Sequence, residues 1–140
     1  MMSDTKTEIK KIETAFINTS DAPLYKSTEK LLYQVDTILN FLSKDRKHTY
    51  GQKMLEIVLT LLDCVSSAYD FPKTREEKLE LYLSKLNNLA TLLKLCNDKG
   101  YLKFSNNKNL YIECIQPLGN SKKQAIGWLI ATNNNNNKNS

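Results

Sequence analysis

The sequence predicts an all-α protein, an antiparallel up-down four-helix bundle, from three observations. Only four Gly and three Pro occur among 140 residues, and no stretch alternates strongly enough to read as a strand. The apolar residues instead recur at three and four positions over long runs, which is the period of one helix face. A chain of this length that is 41% hydrophobic supports a single core, burying roughly two-thirds of the surface its unfolded form exposes, and leaves no room for a second domain. The expected organisation is an N-terminal arm over 1–22, the bundle over 23–131 and a disordered Asn-rich tail over 132–140.

In the arm, Ile9, Ile12, Phe16 and Ile17 outline a short amphipathic helix, too short to be stable unless docked. The run from Asn18 to Pro23 reads as a break. Helix one is predicted over about 24–42, with Leu31, Leu32, Val35, Ile38, Leu39 and Leu42 on one stripe. The polar, cationic stretch 43–51 then reads as the first inter-helix connection.

Helix two, about 50–69, is apolar on more than one side: Met54, Leu55, Ile57, Val58, Leu59, Leu61, Leu62, Cys64, Val65 and Ala68 cover much of its circumference. Such a helix is covered by several neighbours inside the bundle, by another subunit, or by both. Asp70-Phe71-Pro72-Lys73 ends it. Thr74-Arg75-Glu76-Glu77 is a capping-box pattern that opens helix three, which carries Leu79, Tyr82, Leu83, Leu86, Leu89, Ala90, Leu93 and Cys96 at heptad-like spacing. Gly100 is the expected helix stop.

Helix four restarts near Ser105-Asn106-Asn107, with Leu110, Tyr111, Cys114, Ile115 and Leu118 inward. Pro117 lacks a backbone donor and clashes with the carbonyl four residues earlier, so a kink or break is expected around 113–119 before Ala125-Ile126-Gly127-Trp128-Leu129 resumes. Trp128 reads as a core or subunit-contact anchor, since Ile126 and Leu129 flank it.

Chemistry is bounded mainly by what is missing. A single histidine, His48, excludes the paired Glu-x-x-His ligands of di-iron bundles, and no Cys or His spacing suits zinc. There is no phosphate-cradling Gly loop, no nucleophile elbow and no Cys/His pair, so no enzyme, cofactor or metal is predicted. Cys64, Cys96 and Cys114 are an odd number in separate apolar runs, which suits buried thiols. No apolar run reaches the ~18 residues of a membrane span, and the polar start lacks a signal-peptide core, so a cytoplasmic protein is expected.

The formal charge is +5, and residues 99–140, with six Lys against Glu113 alone, hold a surplus of that size. Lys44, Arg46, Lys47 and Lys53 surround the first connection, Lys94, Lys99 and Lys103 the third, and Lys122 and Lys123 lie on helix four. In an up-down bundle the first and third connections share one end, so two of these groups would converge there. A converging basic end suits phosphates, although solvated charge on a small bundle gives the same composition.

The order and spacing of these residues resemble the accessory variability determinant (Avd) proteins of diversity-generating retroelements, within a wider set of four-helix-bundle proteins that includes the ribosomal intervening-sequence proteins. The likeness runs from about residue 24 to 129. Leu42-Ser43-Lys44-Asp45-Arg46-Lys47 is similar to that family's Leu-Pro-Arg-Asp-(His/Arg)-Lys, and Tyr50-Gly51-Gln52-Lys53 to its Leu-Gly-x-Arg. Leu61-Leu62, Ala68-Tyr69, Asp98-Lys99-Gly100-Tyr101-Leu102, and Lys123 with Gly127-Trp128 continue the correspondence. Ser43, Lys122, Ile126 and Pro117 depart from it. The resemblance implies a homo-oligomer, a pentameric basic barrel, that binds a reverse transcriptase and RNA or DNA during mutagenic copying and has no catalysis of its own. The nine Lys and Arg residues named above are the expected contacts. The alternative is a structural or interaction module of the wider set, binding ribosomal RNA or a protein without a retroelement.

Overall fold

In the computed structural model, which describes residues 4–11, 22–103 and 109–138, nearly every residue is helical; among these residues the extended pairing is one isolated bridge, Lys103 to Asn109. Helix α1 covers residues 4–11 and is exposed along its whole length. Ile12, Phe16 and Ile17 of the expected arm, and the Ser105-Asn106-Asn107 restart, lie outside the described residues.

Helix α2, Pro23–Phe41, starts with proline in its first turn, where the missing N–H has no intrahelical partner to lose. It buries Leu31, Val35, Ile38 and Leu39 as the stripe predicts, and also Leu24 and the hydroxyl residues Ser27 and Thr28. The first connection is much shorter than the predicted 43–51. Only Leu42 and Ser43 lie outside helix, because α3 (Lys44–Arg46), a π-helical turn (Lys47–Gly51) and α4 (Gln52–Asp70) follow without interruption. Lys and Arg are good helix formers and stay hydrated there, so a polar composition does not break the helix. Gly51 has helical φ of −63° and is there for space: a Cβ would collide with the Leu39 side chain and sit 3.3 Å from Leu42 Cδ1. The π turn is closed by the Gln52 N–H donating to the Lys47 carbonyl.

Helix α4 buries Met54, Ile57, Val58, Leu61, Cys64, Val65 and Ala68 between α2 and α5 (Arg75–Asp98). Most of its apolar circumference is therefore covered within the chain, with Leu59 left 51% exposed. The predicted capping box does not form. Thr74 belongs to a 3-10 turn, Pro72–Thr74, and its hydroxyl donates backward to the Phe71 carbonyl at 3.3 Å, with no cap bond into α5. Arg75 instead serves the preceding helix, its Nε donating to the Ala68 carbonyl at 2.7 Å and Nη2 to that of Tyr69 at 3.4 Å.

The buried positions of α5 are Leu79, Tyr82, Leu86, Leu89, Leu93 and Cys96, a strict alternation of three and four. The helix closes as a Schellman motif: Gly100 at φ 79° donates to Asn97, and Tyr101 donates to Cys96, both at 2.9 Å.

Helix α6, Leu110–Lys138, corrects three expectations. It passes through Pro117 unbroken, because Leu110 and Cys114 before the proline and Ser121, Ala125 and Thr132 after it stay on one buried seam. Ile115, predicted inward, is 50% exposed and belongs to the outer face. The tail predicted as disordered from 132 is helical to residue 138: Thr132 is buried and donates to the Trp128 carbonyl at 2.8 Å, and Asn136 donates to the Glu76 carboxylate at 3.3 Å. A run of Asn has poor helix propensity, and here it is held by extending a docked helix along the start of α5.

The four long helices close a ring, α2 against α4, α4 against α5, α5 against α6 and α6 against α2. One polar chain crosses the core inside it. Thr28 donates to the Leu24 carbonyl at 2.7 Å and so accepts from the Tyr82 phenol at 2.6 Å. The Ser121 hydroxyl, buried without a well-formed hydrogen bond, lies near that phenol. Nearby, Ser27 donates to Gln124 Oε1 at 2.6 Å. Cys64, Cys96 and Cys114 are buried free thiols.

Candidate nucleic-acid interface

The first and third connections meet at one end of the helical array. The π turn delivers Tyr50, and the left-handed Gly100 reverses the chain so that Tyr101 faces it, with the two rings 5.7 Å apart and inclined at 49°. Arg46 and Lys99 close the cluster from opposite chain segments. The Arg46 guanidinium lies 3.7 Å from the Tyr101 ring centroid, and Lys99 Nζ donates to the Tyr50 hydroxyl at 3.1 Å. Lys99 also stands 5.5 Å and 5.8 Å from the Tyr50 and Tyr101 centroids. The Tyr50 hydrogen bond raises the Lys99 pKa, so this ammonium stays charged throughout the neutral range. Each cation keeps donors free for a further acceptor, because a ring face and one phenol oxygen use only part of their capacity.

The remaining predicted cations are all exposed, and the structure divides them. Lys44 and Lys47 sit three apart beside Arg46, and Lys53 follows about two turns along the same helical stretch. Lys103 lies just past Tyr101, where the bridge to Asn109 fixes its backbone. Lys94 is in an ion pair with Asp98 at 2.9 Å, which raises its pKa and partly neutralises its field. Lys122 and Lys123 are not part of the cluster. They lie about 18 Å along α6 from Leu110. Their neighbour Gln124 bonds Ser27 near the start of α2, toward the opposite end.

Trp128 is at that opposite end as well. It is half-buried, forms a recess with Pro23, Leu24, Gln124 and Gly127, and faces the Arg75 guanidinium at 5.3 Å. The apolar patch it joins is thus built by α2, not by Ile126, which is 38% exposed. His48 is exposed within the π turn. Two members of the cluster, Tyr50 and Tyr101, escape a reading by charge alone; their signal is that each adjoins the glycine of its connection, as Tyr50-Gly51 and Gly100-Tyr101.

Among the described residues, no group of three or more His, Cys, Asp and Glu side chains is placed to hold a metal ion. Nor is any helix among them long and apolar enough to cross a membrane. No family model matches the chain, and neither does any curated protein or solved structure.

Proposed function

We propose that this chain is a non-enzymatic, cytoplasmic accessory protein, an up-down four-helix bundle whose basic end binds RNA or DNA on behalf of a polymerase partner. The reading follows the motif resemblance to the Avd proteins, in which that partner is the reverse transcriptase of a diversity-generating retroelement. The observation that carries it is the meeting of Arg46 and Lys99 over Tyr50 and Tyr101, with Lys44, Lys47, Lys53 and Lys103 exposed around them. Cations from two connections about 50 residues apart in sequence are brought to one end, and phosphates need only such a distributed set.

Self-association completes the proposal, with a pentamer implied by the resemblance. Its support is unburied apolar surface on two helices: Leu59 on α4, and Ile112, Ile115, Ile126 and Ile130 on α6. Fluorescence titration of a labelled RNA at several salt concentrations, alongside light scattering, tests both parts. A multimer whose RNA affinity falls steeply with salt is the expected result. A monomer at micromolar concentration with no salt-dependent RNA binding would remove the proposal.

A further inference from the structure

We infer that Tyr101, with Tyr50 beside it, is a stacking platform for an unpaired nucleobase, which makes the basic end selective for single-stranded over duplex nucleic acid. The inference rests on the nucleic-acid reading above and deepens it. A site that only neutralised duplex phosphates would need cations and no rings, since the bases of a duplex are stacked on one another and offer only their edges. Single-strand sites combine a basic track with aromatic faces on which bases stack, because every base has a π face. Both components are present here within one cluster.

The Arg46 guanidinium, a planar cation 3.7 Å from the Tyr101 centroid, already occupies the position of a stacked base. It is exposed and belongs to the turn next to Lys44 and Lys47, so rotating it outward places it on a phosphate and frees the ring face for the base. Tyr101 is held in place for this by its backbone bond to Cys96 and by Leu102, fully buried next to it. Lys99, bonded to the Tyr50 hydroxyl, fixes the second ring and carries the positive charge past it.

The test compares a labelled oligouridylate of about 12 nucleotides with a blunt duplex of the same length, each titrated at a low and a moderate salt concentration. The wild type should bind the single strand more tightly. Tyr101→Leu should weaken single-strand binding roughly 5- to 100-fold and leave duplex binding unchanged, while Tyr101→Phe, which keeps the ring, binds as the wild type does. If Tyr101→Leu does not fold, Tyr50→Leu removes the second ring and should give a smaller loss with the same selectivity. Unchanged single-strand binding in a folded Leu variant, or equal loss on both ligands, would overturn the platform and leave the polyanion site standing. Absence of salt-dependent binding to either ligand by the wild type would overturn the nucleic-acid reading, and this inference with it.

Discussion

Pro117→Ala is expected to stabilise the protein. Pro117 lies eight residues into α6, so the carbonyl of Glu113 loses its intrahelical donor and meets the pyrrolidine ring. Proline in a helix interior is about 3 kcal/mol less favourable than alanine. Against that, the ring is half-buried beside Ser27, Lys30 and Gln116, and removing its extra carbons forfeits about 1 kcal/mol. The net gain is about 2 kcal/mol, which at this chain length raises Tm by about 6–8 °C. Differential scanning calorimetry measures it directly, with circular dichroism expected to show no loss of helicity. A Tm unchanged or lowered would mean that Pro117 fits its surroundings without a helix penalty, and that the unbroken course of α6 is not maintained against a local cost.

Two further predictions concern the core. Tyr82→Phe removes the donor to the buried Thr28 hydroxyl, which keeps only its own bond to the Leu24 carbonyl; urea denaturation should show a loss of about 1 kcal/mol. Burial pushes the Cys114 thiol up to about 12 from its ordinary 9.0. Because the folded pKa is the higher one, this contribution to stability is complete below pH 9 and is lost as pH rises through 9 toward 12. Denaturation midpoints measured between pH 8.5 and about 10.5 should therefore fall more steeply for the wild type than for Cys114→Ala. Parallel pH profiles for the two proteins would refute the burial-driven shift.

The core was legible wherever large apolar residues mark the heptad. On α5 the alternation from Leu79 to Cys96 is written in Leu and aromatic side chains, and on α2 the stripe from Leu31 to Leu39 is equally direct. On α6 the seam consists of Leu110, Cys114, Ser121, Ala125 and Thr132, mostly small or polar, while the isoleucines face outward. Apolar periodicity therefore placed Ile115 on the wrong side. Local rules failed where a neighbour competed for the same group: Thr74 was claimed by the 3-10 turn before it could cap α5, and the Asn run was carried into helix by the docked segment ahead of it. Of the candidate site, the convergence of the first and third connections follows from topology, and Arg46 and Lys99 do meet there. The exclusion of Lys122 and Lys123 depends on position along α6, and the pairing of Tyr50 with Tyr101 depends on a π turn and a left-handed glycine, whose combined geometry has no periodic signature.

The most direct test of the basic end is the slope of log K against log salt for single-stranded RNA. Each phosphate contact contributes about −0.7 to that slope. Replacing Lys44, Arg46, Lys47 and Lys99 together by Gln should make it shallower by about 2.8, provided each contacts one phosphate, while Lys122→Gln with Lys123→Gln should leave it within error of the wild type. A slope unaffected by the first set, or a loss carried by the α6 pair, would contradict the assignment of the site to the end where Tyr50 and Tyr101 meet.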